Sequence, residues 1–149
     1  MTTTSTTAPP ATPSATTLSI GLLLARVVLG AVMIAHGAQK VFSFTLSGTA
    51  ASFEEMGVPL ASVAGPGLAL LELVGGVAIV LGAATRVIGV LFALAMVGAI
   101  AIVHLEAGFF ASDGGYELVL LLAGVAGALA LTGAGRWSVD GLVAARRRA

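Results

Sequence analysis

Four long apolar stretches occupy most of this 149-residue chain, and each is close to the length that crosses a lipid bilayer. A helix rises about 1.5 Å per residue and the hydrocarbon core is about 30 Å thick, so a span needs about 20 mostly apolar residues. Charged residues make up 9% of the chain, against roughly 25% in soluble domains. The sequence therefore predicts an all-α membrane protein, an antiparallel bundle of four transmembrane helices.

The apolar stretches also set the expected domain organisation. The four predicted spans are residues 18–41, 61–84, 87–105 and 116–132. Between the first two, the segment SGTAASFEEMG combines cap-type Ser and Thr with acidic residues and a final glycine, which predicts a short interfacial helix. We expect residues 1–17, rich in Thr, Pro, Ser and Ala, to be a disordered tail, residues 18–140 to be the membrane domain, and residues 141–149 to be a basic tail.

Basic residues indicate the orientation of the predicted bundle. Arg86 lies in the second connection, and Arg136, Arg146, Arg147 and Arg148 follow the last span. The first and third connections are mainly acidic, with Lys40 as their one cation. The positive-inside rule then predicts a multi-pass protein of the inner (plasma) membrane with both tails in the cytoplasm. The run at residues 146–148 is expected to contact anionic lipid.

Composition excludes several classes of function. The formal net charge is zero, which argues against nucleic-acid binding. The absence of cysteine excludes thiolate chemistry, disulfides and cysteine-ligated metal or iron–sulfur sites in this chain. A redox role must therefore use a partner's cofactor or a diffusible carrier such as quinone. The many glycines within the spans predict close helix packing without a lumen, which disfavours a solute carrier.

Two ionisable residues are expected deep within the spans. Arg26 would lie roughly 12 Å into the first span and Glu72 roughly 16 Å into the second, measured from the cytoplasmic side at 1.5 Å per residue. An unpaired charge at such depth costs at least about 2.5 kcal/mol. The sequence therefore predicts an inward-facing Arg26–Glu72 pair, either a structural clamp that fixes helix register or a part of the chemistry.

Further polar residues fall near the outer ends of the spans. Histidine exchanges protons near neutral pH, and a nearby carboxylate can orient it, so these residues predict a proton-exchanging site suited to a quinone headgroup. The alternatives are interfacial side chains that merely reach water and, with no local ligand motif to support it, a metal site. The candidate cofactor-binding residues are Arg26, His36, Lys40, Glu72, His104 and Glu117.

These residues lie in segments that resemble the DoxX family of small four-span membrane proteins. The resemblance covers about residues 18–140 and depends on ARVVLGAVMIAHGAQKVF, LELVGGVAIVLGAATR, the span ending at His104, Glu117 and GAGRWSVD. It implies a membrane partner of redox enzymes, related in some members to the quinone-reducing subunits of thiosulfate:quinone oxidoreductase. In actinobacterial-type relatives it implies a complex with a sulfurtransferase and a superoxide dismutase that handles oxidative stress.

The sequence thus leads to two functional hypotheses. In the first, the chain is an integral membrane subunit of a redox complex, which binds quinone near its outer ends and has no metal or redox centre of its own. In the second, it is a non-catalytic anchor or scaffold that recruits soluble redox or oxidative-stress enzymes. The lipid bilayer is a partner in both, and self-association into a homo-oligomer stays open.

Overall fold

The computed structural model describes residues 14–148, which form helices and loops with no β-strand. The six α-helices are α1 (Ala15–Ala38), α2 (Thr45–Glu55), α3 (Ala61–Leu81), α4 (Thr85–Ala99), α5 (Glu117–Thr132) and α6 (Val139–Arg146). Two π-helical turns, Gln39–Ser43 and Ile100–His104, continue α1 and α4, and a 3₁₀ turn forms at Ala111–Asp113. The chain is therefore all-helical, as the sequence predicts.

Three helical segments are long and apolar enough to cross a membrane: Ala15–Ser43, Ala61–Leu81 and Thr85–His104. They correspond to the first three predicted spans. The fourth apolar helix, α5, has 16 residues, fewer than the about 20 that a straight span requires. The short helix α2 forms where the sequence predicts one, and its location at a membrane interface, like the fourth crossing, stays a prediction.

Both ends of the described chain contain a capped helix. Helix α1 begins at Ala15, where the Ser14 side chain accepts a hydrogen bond from the Thr17 amide as an N-cap. Residues 15–17 of the predicted tail are therefore helical and Ser14 is their N-cap, while residues 1–13 lie outside the described residues. Most of the predicted basic tail forms α6, which Ser138 caps by accepting from the Gly141 amide.

Small residues bring neighbouring helices into backbone contact. On α1, Gly37 lies so close to Leu73 of α3 that a Cβ atom at residue 37 would overlap the Leu73 backbone. On α4, Gly89 lies in the same way against Ala126 of α5. The pairs α1–α3 and α4–α5 form the main contacts of the bundle, and each pair is antiparallel. Small residues thus allow the close helix packing that the glycines within the spans predict.

The bundle has two ends, which the following sections name by their contents. The tail end contains the start of α1, the α3–α4 turn, residues 133–140 and α6. The loop end contains the two π turns, α2 and the loop that precedes α5. Between the two ends lies a buried core of Leu29, Met33, Ile79, Phe92, Met96, Ala126 and Leu129.

Candidate functional site

A cavity of about 270 Å³ lies at the loop end, enclosed by residues of five helices and their π turns. Four of its lining residues are ionisable: His36, Lys40, Glu72 and His104. The other lining residues are apolar: Met33, Phe53, Met56, Leu68, Met96, Ala99, Val103, Leu118, Val119 and Leu122. This loop-end cavity therefore combines apolar walls with a few converging polar groups, the composition that small-molecule sites share.

Lys40 and Glu72 form an ion pair in the wall of the cavity. The Lys40 Nζ atom donates a hydrogen bond of 2.7 Å to Glu72 Oε2, and the two side chains are 18% and 4% exposed. Glu72 is buried because Gly37 allows α1 to approach the α3 backbone next to it. Among residues 14–148 this is the one salt bridge between side chains. It neutralises the carboxylate and leaves the lysine with further N–H donors near the cavity.

Both histidines are held by hydrogen bonds from the same ring atom. His36 Nδ1 lies 2.9 Å from the Val32 carbonyl oxygen, and His104 Nδ1 lies 2.7 Å from the Gly114 carbonyl oxygen. A carbonyl oxygen only accepts, so Nδ1 must carry the hydrogen in each ring. The Nε2 atom of the neutral ring is then a hydrogen-bond acceptor, and each histidine can take up a proton there.

Two of the four ionisable residues lie on π-helical turns. Lys40 belongs to the turn at Gln39–Ser43 and His104 to the turn at Ile100–His104. A π turn shifts the side chains that follow it relative to an α-helix, and such turns are frequent at functional sites. The two π turns therefore contribute one polar residue each, from two different helices, to the loop-end cavity.

Methionines in the cavity wall were missed by the sequence analysis. Three of the four methionines in the chain, Met33, Met56 and Met96, line the cavity. Met33 and His36 have i, i+3 spacing, which places them on one face of α1, and this signal could have identified Met33. Methionine is flexible and polarisable, and its sulfur makes favourable contacts with aromatic rings. The wall is thus suited to a flat, unsaturated ligand.

The predicted site residues are only partly brought together. His36, Lys40, Glu72 and His104 line the loop-end cavity, whereas Glu117 does not. Instead, Glu117 Oε1 accepts a hydrogen bond of 3.0 Å from the Ala111 amide and holds the loop before α5. Within the part of the chain that the structure describes, no three His, Asp or Glu side chains converge as a metal ion would require.

Arg26 lies at the tail end, remote from the cavity, and is 1% exposed. Its Nη2 atom donates a hydrogen bond of 2.7 Å to the Trp137 carbonyl oxygen. The carboxylate of Asp140, three residues after Trp137, accepts hydrogen bonds of 2.8 and 2.9 Å from the amides of Ala84 and Thr85. The segment after α5 therefore folds back over the arginine.

The predicted Arg26–Glu72 pair is therefore wrong. Gly37, which contacts the α3 backbone beside Glu72, comes eleven residues after Arg26, or about 16 Å along α1. Side chains on a helix tilt toward its N-terminus. Arg26 thus leans toward the tail end and Glu72, on an antiparallel helix, toward the loop end, so the two groups diverge. Each has a different partner, and neither requires the other.

Comparisons with known proteins identify the family of this chain. The DoxX family model matches residues 21–105, which include Arg26, His36, Lys40, Glu72 and His104. The chain is also 40% identical over 124 residues to the Bacillus subtilis (strain 168) protein named "Putative oxidoreductase CatD", covering 83% of this chain and 87% of that protein. No solved structure matches the chain significantly. With its membrane-length apolar helices and a match over more than half of its length, this membrane protein belongs to the DoxX family.

Proposed function

We propose that this protein is the membrane component of a redox system and that its loop-end cavity binds the ring of a quinone-type carrier. The observation that carries the proposal is the convergence of His36, Lys40, Glu72 and His104 on one cavity of about 270 Å³ with apolar walls. Ionisable groups are expensive within membrane helices and are usually retained there for function. Their grouping around a cavity supports a binding site over scattered groups that reach water.

A diffusible carrier suits the chemistry available to this chain. The relative from Bacillus subtilis is named as an oxidoreductase, while this chain has no cysteine for thiol or iron–sulfur chemistry. A quinone supplies two-electron redox chemistry coupled to two protons when it is bound. It also dissolves in the bilayer, which surrounds the helices that line the cavity. The redox step then needs no metal or thiol from the protein.

The polar groups of the cavity match the proton part of that chemistry. The Nε2 atoms of His36 and His104 are free acceptors when the rings are neutral, because both Nδ1 atoms donate to carbonyl oxygens. They could exchange protons with the ring oxygens of a bound quinone-type carrier. Lys40, neutralised by Glu72, can donate a hydrogen bond to a ring oxygen.

A cavity-filling substitution tests this proposal directly. Ala99 lines the cavity, so Ala99→Phe places a bulky ring inside it without removing any polar group. We expect the purified protein in detergent to bind a short-chain benzoquinone, and the affinity of Ala99→Phe to fall by about tenfold or more, since the ring contact is lost. Isothermal titration calorimetry measures both affinities.

The matched control is Ala101→Phe, because Ala101 lies two residues after Ala99, on the π-helical turn that continues α4, is exposed and does not line the cavity. It should bind the benzoquinone like the unmodified protein. Absence of binding by the unmodified protein, or equal binding by Ala99→Phe, would contradict the quinone proposal and favour the anchor alternative. In that case recruitment of soluble enzymes, for which the family resemblance offers a sulfurtransferase and a superoxide dismutase, becomes the function to test by mild-detergent pull-down.

A further inference from the structure

Charge is distributed very unevenly between the two ends of the bundle. The chain has seven basic and seven acidic residues. Six of the basic residues lie at the tail end: Arg26, Arg86, Arg136, Arg146, Arg147 and Arg148. Of the acidic residues, Asp140 alone lies there, and its carboxylate already accepts hydrogen bonds from the Ala84 and Thr85 amides. Apart from the buried Arg26, these arginines are exposed, so the surface of the tail end carries five cations and is suited to an anionic partner.

Two of these arginines border a groove of about 700 Å³ between the start of α1 and α6. Arg136 precedes α6 and Arg148 follows it, and both side chains are exposed. Among residues 14–148, no acidic side chain lines the groove beside the two guanidinium groups. The groove thus presents two cations, from separate positions in the chain, to one space.

The rest of the groove is apolar or small. Leu18 and Leu22 of α1 and Leu142 of α6 line it, and Leu18 and Leu142 are 56% and 63% exposed. Leu24 and Val28, further along α1, are also exposed apolar side chains. A ligand in this groove would meet cations at one side and a membrane-facing apolar surface at the other.

We propose that this groove binds one anionic phospholipid, with its phosphate between Arg136 and Arg148 and an acyl chain along Leu18, Leu22 and Leu142. The planar guanidinium group matches phosphate oxygens with two parallel hydrogen bonds, and arginine is the preferred residue for such contacts. Apolar contact along α1 distinguishes a lipid from a soluble anion. This site is independent of the loop-end cavity and of the function proposed for it.

Lipid titration of the purified protein in neutral detergent, followed by native mass spectrometry, tests the proposal. We expect phosphatidylglycerol to bind as one defined adduct and phosphatidylcholine, which has no net charge, to bind more weakly. Arg136→Gln with Arg148→Gln should weaken phosphatidylglycerol binding by about tenfold per arginine, the effect of losing a hydrogen bond to a charged group. Arg136→Lys with Arg148→Lys keeps the charge and should retain most of the binding.

The matched control removes the same charge outside the groove. Arg86→Gln with Arg146→Gln alters two tail-end arginines that do not line it, and phosphatidylglycerol should still bind. If phosphatidylglycerol binding falls equally in the two Arg→Gln double variants, the attraction is one of diffuse charge and the proposed site is overturned. Unchanged binding in both variants would also overturn it. Displacement of the lipid by millimolar inorganic phosphate would assign the arginines to a free anion and also overturn the lipid proposal. Symmetric gel-filtration peaks confirm that each variant is folded.

Discussion

The Lys40–Glu72 pair combines low exposure with a short hydrogen bond of 2.7 Å. Removing two charges from water costs several kcal/mol each, and mutual attraction recovers much of that cost only while both partners are present. The Glu72 side chain is 4% exposed and the Lys40 side chain is 18% exposed. Because water can solvate the lysine more than the carboxylate, loss of the partner costs Glu72 more than it costs Lys40. At the residue scale, Glu72 is therefore the group that its neighbours must keep neutralised.

A double-mutant comparison tests this dependence. We expect Lys40→Met to lower the free energy of unfolding by up to about 3–5 kcal/mol, because it leaves a buried carboxylate without a partner. Lys40→Met combined with Glu72→Leu should recover most of that loss, because an apolar pair fits an apolar wall. Thermal unfolding in detergent measures both variants. Equal destabilisation of the single and double variants would show that the unpaired Glu72 carboxylate is not the cause of the lost stability.

Sequence reasoning identified the unusual residues but not all of their partners. Glu72 and Arg26 are conspicuous as ionisable groups within apolar stretches, and both are indeed buried. Their pairing was inferred from depth alone, which ignores that side chains on antiparallel helices lean in opposite directions. Glu117 was assigned to the site from its position at a helix end, and its hydrogen bond to the Ala111 amide depends on a loop fold that hydropathy does not describe.

At the scale of elements, close helix contact is what places the site residues. Gly37 lets α1 touch the backbone of α3 at Glu72 and Leu73, one turn before Lys40. Hydropathy predicted the ends of the three long helices to within a few residues, because apolar length is a strong signal. Hydropathy could not predict the π turns at Gln39–Ser43 and Ile100–His104. Each turn adds one residue to a helix that is apolar on all sides, so the mean hydropathy of the segment does not change.

Substitution of Gly37 tests the role of this contact. A Cβ atom at residue 37 would overlap backbone atoms of Leu73, so Gly37→Ala must push α1 and α3 apart. We expect the free energy of unfolding to fall by about 1–3 kcal/mol, the usual cost of overpacking. Thermal unfolding in detergent measures the change.

Gly21→Ala, on the same helix, is the control, because a Cβ atom at residue 21 would meet no atom within 4 Å. It should leave the unfolding temperature unchanged. Similar unfolding temperatures for Gly37→Ala and Gly21→Ala would contradict the role assigned to the close approach of α1 and α3.

At the scale of the whole molecule, charge separation favours a single orientation. Basic residues near helix ends stay on the cytoplasmic side, and six of the seven lie at the tail end. We therefore propose that the tail end faces the cytoplasm and that the loop-end cavity opens near the outer side of the plasma membrane. Protons exchanged by the cavity histidines would then be released to or taken from the outer side.

The absence of cysteine makes this orientation simple to test, because each introduced thiol is the only one in the chain. Glu55→Cys at the loop end and Arg147→Cys at the tail end are both at exposed positions. A membrane-impermeant maleimide should label Glu55→Cys in intact cells and Arg147→Cys only after permeabilisation. Labelling of Arg147→Cys in intact cells would reverse the proposed orientation.

The cap that Asp140 forms on the α3–α4 turn has a consequence for biosynthesis. The Thr85 amide donates a hydrogen bond to the carboxylate of Asp140, which lies 55 positions later in the chain. During translation, α3 and α4 must therefore enter the bilayer as a hairpin whose connecting turn is still open. Asp140 can cap that turn, and the Trp137 carbonyl can accept from Arg26, only after all of the long helices have been synthesised.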